Sequence, residues 1–343
     1  MKTYKLSREK NFGCQIVFTD GLSGTGKTAL FNIINSLGRV ETVRYDPIYE
    51  YLCAMKYLKR VNDDVIASLM QLNMDRTLNN VMLSRQVNFR PADNSSVLSG
   101  LNRNKYLSRL FESESELTLE KINQERPIVH IMSHCLLGIS HPLFEVFNNR
   151  ITLIEIERHP VNLIPAWVSY IDRYGTDPFE LTVCFRYNNK DLPWFSVCWE
   201  KEYLKSNTYD KAIRAFNYFS SLKRQFFNES PKQITDRIIQ IPFEKYVINP
   251  FHYIEQIENK LDVKQNKNIH SILNQQKMPR MTYSDIPSDK GFEKYNNIPL
   301  GSGETEIDLK NKIWDDVKKQ SSNECITMLE KLTYNYETKN NIK

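Results

Sequence analysis

The chain reads as an α/β protein built around a central, mainly parallel sheet, and three features predict this. An apolar run over 15–19 passes through a glycine-rich octet into Ala29, Leu30, Phe31, Ile33 and Ile34 at helical spacing. Two further apolar runs, 127–134 and 150–160, are joined by a helix-sized connection, the mark of parallel neighbours. A last apolar run at 237–243 leads into another helical stretch.

The octet Gly21-Leu22-Ser23-Gly24-Thr25-Gly26-Lys27-Thr28 is the segment around which the rest is arranged. Glycines let the backbone wrap with positive φ so that several N–H groups converge on phosphate oxygens, and the following helix N-terminus adds partial positive charge. Gly21, Ser23, Gly24, Thr25, Gly26, Lys27 and Thr28 are therefore candidate phosphate ligands. Lys27 would reach the outer phosphoryl group, and Thr28 would orient the loop or ligate Mg²⁺. A phosphorylated ligand follows from this motif; the reaction does not.

After the loop helix, residues 40–43 read as a short strand closed by Asp46-Pro47. From 48 to about 87, Tyr51, Met55, Leu58, Val65, Leu69, Leu72 and Met74 recur at helical steps. With 98–123, a charge-laced stretch that reads as a solvent-facing helix, they form a helical insertion or lid over 48–123. Between them, the polar run 85–96 either lines a cleft through Arg85, Arg90 and Asp93 or is a solvated loop.

The strand at 127–134 ends in His134, either a structural histidine or a base, and the strand at 150–160 ends in Arg158-His159-Pro160. Ligands of parallel sheets sit at the carboxyl ends of strands, so both fall beside the octet. Helices follow at 161–174, at 211–228, where the aromatics mark a core helix, and at 250–261. Polar residues 264–304, with Pro279, Pro287 and Pro299, predict a long loop or flap. A final amphipathic helix carries Leu309, Ile313, Trp314 and Val317 and leads to a frayed tail at 335–343.

The 343 residues, 41% hydrophobic and 25% charged, suit a single large domain over 1–343 and exclude wholesale disorder. The net charge of +5 suits an anionic ligand, but no dense Lys/Arg cluster predicts a nucleic-acid partner. Cys14, Cys53, Cys135, Cys184, Cys198 and Cys325 lack metal-ligand spacing, so free thiols, a reducing cytoplasmic setting and no bound metal are expected. No run approaches the ~18 apolar residues of a membrane span.

The order of these elements resembles the sulfotransferase family. The resemblance rests on the loop, on Ile131-Met132-Ser133-His134, on Ile154-Glu155-Ile156-Glu157-Arg158-His159-Pro160, and on Ile241-Pro242-Phe243-Glu244-Lys245-Tyr246-Val247-Ile248-Asn249-Pro250. It implies a three-layer phosphate-loop (P-loop) fold and the donor 3′-phosphoadenosine 5′-phosphosulfate. It also implies that residues 21–28 hold the 5′-phosphosulfate, Arg158 holds the 3′-phosphate, and His134 deprotonates an acceptor hydroxyl while Lys27 stabilises the departing phosphate. The acceptor would be a small molecule or carbohydrate bearing a hydroxyl or amine, in a cleft lined by the insertion and by Trp167, Tyr170 and Trp194.

Three departures stand out. The loop has the full nucleotide-triphosphatase form, with Gly24 where the family usually has a base. Ala166 occupies the position of the serine expected eight residues after the arginine, with Ser169 one turn further on. The C-terminal Arg-Lys-Gly clamp has only a vague counterpart around 290–303. An ATP- and Mg²⁺-dependent kinase of a small hydroxyl substrate is therefore the alternative, with a non-catalytic nucleotide-binding protein third. Against the kinase, no apolar strand ends in an Asp suited to the metal: Glu155 and Glu157 lie mid-strand and Asp20 precedes the loop.

Overall fold

The computed structural model describes residues 4–93, 95–112, 117–264, 269–281 and 306–342. The strands are β1 (Gln15–Asp20), β2 (Val40–Thr42), β3 (Ile128–Met132), β4 (Ile151–Glu157), β5 (Cys184–Tyr187), β6 (Lys190–Pro193) and β7 (Ile238–Pro242). The helices up to the middle of the chain are α1 (Lys27–Ile34), α2 (Ile48–Tyr57), α3 (Asp63–Met82), α4 (Arg103–Arg109), α5 (Leu117–Glu125), α6 (His141–Phe147) and α7 (Pro160–Ile171). They continue as α8 (Glu200–Lys205), α9 (Thr208–Glu229), α10 (Lys232–Thr235), α11 (Phe243–Ile248), α12 (Pro250–Leu261), α13 (Ile269–Gln275), α14 (Glu306–Gln320) and α15 (Asn323–Asn340).

Five strands form one sheet in the order β2-β3-β1-β4-β7, every neighbouring pair parallel. Buried on both faces, β4 and almost all of β1 can be nearly continuous in apolar and β-branched residues. The period of two sorts their side chains: Ile16 and Phe18 face one layer and Val17 the other. Val17, Ile154, Ile156 and Ile241 pack with Leu30, Ile33 and Ile34 of α1 and with α11 to α13. Ile16, Phe18 and Leu153 pack with α2, α3, α6, α7, α9, α14 and α15. Burying each such large apolar side chain contributes roughly 1.5–3 kcal/mol.

Register decides what meets at the carboxyl edge. Thr19 pairs with Met132 and Asp20 with Glu155, so the ends of β3, β1 and β4 lie level and side by side. Residues 133–134, the loop and Arg158 thus emerge at one edge, as expected for ligand sites of open parallel sheets.

Several expectations need correction. Helix α4 is not merely solvent-facing: Arg109, 5% exposed, turns inward to bond both oxygens of buried Glu41 at 2.8 and 3.1 Å, tying the helix to β2. A buried carboxylate needs such a partner, and charge spacing alone does not reveal which face carries it. The end of the chain does not fray from 335. Helix α15 runs to Asn340, with Tyr336 and Asn340 buried, because Tyr336 hydroxyl donates to Glu244 at 2.5 Å and Lys339 bonds Glu157. Helix α13 lies within the expected flap over 264–304, whose remainder from 282, including the clamp counterpart at 290–303, falls outside the described residues.

The polar run 85–96 bonds largely to itself, through Asn88 to Asp93 at 3.1 Å and to Ser95 at 2.9 Å. The antiparallel β5–β6 pair, turned by Asn188 and Asn189 at φ 46 and 61, was not anticipated. Among the described residues, no helix is long and apolar enough to cross a membrane.

Candidate active site

Strand β1 ends at Asp20, and the octet follows at once. Two of its glycines are required by close approach. A Cβ on Gly21 (φ 148) would stand 2.4 Å from the Ile156 carbonyl oxygen, and one on Gly26 (φ 89) would stand 2.3 Å from the Phe243 ring. Thr25 Oγ1 donates to the Leu22 carbonyl at 2.9 Å and closes the turn. Helix α1 begins at Lys27, and Thr28 is exposed on its first turn.

Lys27 is buried, and its Nζ donates to the Gly21 and Leu22 carbonyls at 2.8 Å each. Burial holds its pKa below the ordinary lysine value, while Cys135, Asp20 and Glu50 pull it back up. An ammonium desolvated against its own loop can exchange those carbonyls for phosphoryl oxygens at low cost in reorganisation.

Asp20 ties the loop to the next strand end. It accepts from Ser133 Oγ at 3.0 Å and from the Leu137 and Leu136 amides at 2.8 and 3.0 Å. The Cys135 amide also donates to the Gly21 carbonyl at 3.2 Å. These bonds fold residues 133–137 back over the loop and bring His134 beside it.

His134 is part-buried, and its neighbours come from the start of α2. Glu50 Oε1 accepts from the His134 amide at 2.9 Å and lies 3.4 Å from Nδ1. Tyr45 hydroxyl reaches both Glu50 oxygens, at 3.1 and 3.2 Å, and its ring stands edge-on to the imidazole at 5.3 Å between centroids. Burial and the facing Glu50 carboxylate push the Tyr45 phenol well up, so it remains a donor. Ser23, Tyr45, Glu50, His134, Tyr170 and Trp194 line one cavity of about 250 Å³. Trp167 does not reach it: the ring is fully buried in the core, and its Nε1 donates to the Ser23 carbonyl at 3.0 Å. Glu50, Tyr45 and the aromatics at 174 and 195 were missed, since nothing local marks them.

On the other side of the loop, Arg158 Nη1 donates to the Gly24 carbonyl at 2.8 Å and the guanidinium lies 4.9 Å from the centre of the Phe243 ring. Its Nε is buried without a hydrogen-bond partner. Burial lowers its pKa, with Glu244 and Tyr336 opposing. Ala166 is the residue that faces the loop, 3.2 Å from a Cβ built on Gly24; Ser169 is exposed and does not substitute for it. A second guanidinium, that of Arg280, stands 5.9 Å from the same Phe243 ring. Its backbone N–H is held by the Val247 carbonyl at 2.8 Å. Only folding could show that proximity, 122 residues beyond Arg158 in the chain.

The acids near the loop are committed elsewhere. Glu155 and Glu157 project from β4 toward α9 and α15. There Lys223 pairs with both, Lys339 bonds Glu157 at 2.9 Å, and Gln240 donates to Glu155 at 2.8 Å. Burial alone would raise Glu157, but Lys223 and Lys339 hold it down to about 2; burial pushes Glu155 up. With Asp20 filled by Ser133 and two amides, Asp20, Glu155 and Glu157 serve the fold. No group of three or more His, Cys, Asp or Glu suited to a metal ion occurs among the described residues.

Neither a family model nor a curated protein matches the chain. Solved structures do. A sulfotransferase domain from the curacin biosynthetic pathway is similar at 14% identity, with 89% of this chain and 98% of that one covered and a TM-score of 0.42. A mouse sulfotransferase complexed with PAP is similar at 10% identity, covering 92% and 88%, with a TM-score of 0.36. A Mycobacterium tuberculosis sulfotransferase is similar at 10% identity, covering 83% and 77%, with a TM-score of 0.38.

Proposed function

We propose that the chain is a sulfotransferase, moving a sulfuryl group from 3′-phosphoadenosine 5′-phosphosulfate to a hydroxyl or amine of a small acceptor. One observation carries the reading. The phosphate-type loop has a histidine–carboxylate pair in a cavity on one side and a part-buried guanidinium on the other, whose buried Nε lacks a partner.

The residues present fit the donor. Residues 21–28 form a cradle whose glycine positions leave no room for a side chain at Gly21 or Gly26. Lys27 and the loop amides would hold the 5′-phosphosulfate, and Arg158, with Arg280 beside Phe243, the 3′-phosphate. When bound, the donor supplies an electrophilic sulfur and a phosphate leaving group. His134 Nε2 would take the acceptor proton, making the acceptor oxygen or nitrogen nucleophilic toward the donor's sulfur, with the phosphate as leaving group. Lys27 then offsets the charge on the departing phosphate. Tyr45, Tyr170 and Trp194 supply aromatic surface to this cavity.

The test is calorimetric titration with adenosine 3′,5′-bisphosphate and with ATP, each with and without Mg²⁺. Metal-independent bisphosphate binding, weakened about ten- to a hundredfold in Arg158→Ala, is expected. Mg²⁺-dependent ATP binding with indifference to the bisphosphate would replace this reading by a kinase.

A further inference from the structure

We propose that Glu50, capped by Tyr45, is a positioning residue that holds the His134 imidazole as its Nδ1–H tautomer. The proposal rests on the reading of His134 as the base and specifies how the base is prepared. A carboxylate can only accept, so the ring nitrogen beside it must carry the proton. With Oε1 at 3.4 Å from Nδ1, the proton sits there and Nε2 keeps its lone pair. No described residue bonds Nε2.

The arrangement is over-determined. Asp46 Oδ1 accepts the Ile48 amide at 3.1 Å and sets the start of α2, so that Glu50 projects from its first turn. The same Glu50 oxygen that faces Nδ1 takes the His134 amide, fixing backbone and ring together. Tyr45 hydroxyl bonds the carboxylate, and its ring stands edge-on to the imidazole. Glu180, the other acid lining the cavity, is paired with Arg173 at 3.1 Å and faces His134 only through its charge, whereas Glu50 is within hydrogen-bond reach of the ring.

The experiment uses the full chain labelled with ¹⁵N-histidine, with two-bond ¹H–¹⁵N spectra at about pH 8, where an ordinary imidazole is neutral. His134→Gln identifies the resonance. The Nδ1–H form is expected to dominate by about tenfold in the wild type and to give way to mainly Nε2–H in Glu50→Ala. An unchanged tautomer in Glu50→Ala, or an Nε2–H wild type, would overturn the proposal. Should Glu50→Ala not fold, Tyr45→Phe reads the same equilibrium: a measurable rise in Nε2–H supports the proposal and none overturns it.

Turnover separates positioning from direct proton transfer by Glu50. Glu50→Gln keeps an acceptor oxygen toward Nδ1 and is expected to retain kcat within about tenfold, whereas Glu50→Ala loses about a hundredfold with acceptor KM within about twofold. Equal, near-complete loss in both variants would make Glu50 itself the base. Failed bisphosphate binding alongside the tautomer shift would remove the sulfotransferase reading while supporting the contact.

Discussion

The two sides of the glycine-rich loop are built from different materials. Toward Arg158 the site is backbone, a part-buried guanidinium and an aromatic ring, with Arg158 bonded to the Gly24 carbonyl and Phe243 against both Arg158 and Gly26. Toward His134 it is a cavity of side chains gathered from the loop at Ser23, from Tyr45 and Glu50 around the start of α2, from the end of α7 at Tyr170, and from Trp194. On the proposed function the first side would grip phosphate and the second would activate an acceptor, and that division says where each substitution should be felt.

Lys27→Ala should break both sides at once, because the ammonium lies under the loop: turnover falls about a thousandfold in a sulfuryl-transfer assay. His134→Ala should separate them, with a turnover loss of about a hundredfold and bisphosphate affinity within about twofold by calorimetry. Equal activity in that variant removes His134 from the mechanism.

Acid should weaken the floor the two sides share. His130 lies between Thr19, at 2.7 Å, and Asn35, at 2.6 Å, and burial drives its pKa down to about 3. Its folded value lies below its unfolded one, so the unfolded chain binds the extra proton and stability is lost as pH falls below about 6.5. Acidification from about pH 7 to about pH 5 should remove roughly 2 kcal/mol, read from denaturant midpoints. His130→Gln should be less stable at neutral pH and should lack that part of the slope.

The smallest change sharpens the Arg158 side. Ala166→Ser places a hydroxyl against the loop and should tighten bisphosphate binding about threefold, whereas Ser169→Ala, at an exposed position, should not alter it. Equal effects would show that Ala166 lies outside the phosphate site.

How much was legible varies by residue. The strand–loop–helix at 15–34 was readable because glycine spacing and apolar periodicity are local signals, and His134 and Arg158 were readable as strand ends in a parallel sheet. Trp167 was placed in the acceptor cleft on aromatic character alone, yet a large ring on an apolar helix gains more by full burial. The inward turn of Arg109, within a stretch that reads as solvent-facing, and of Tyr336, within the expected tail, is not local information, because their partners, Glu41 and Glu244, lie 68 and 92 residues away.

Short-range chemistry therefore determined the glycine-rich loop, the order of the central elements and the strand tips, since each depends on neighbours a few positions apart. Tertiary structure alone decided that Glu50 faces His134, that Arg280 joins Arg158 at Phe243, and that Ala166 rather than Ser169 meets the loop. Those contacts depend on strand register and helix packing, which bring distant side chains within a few ångströms, and no residue's own neighbours encode them.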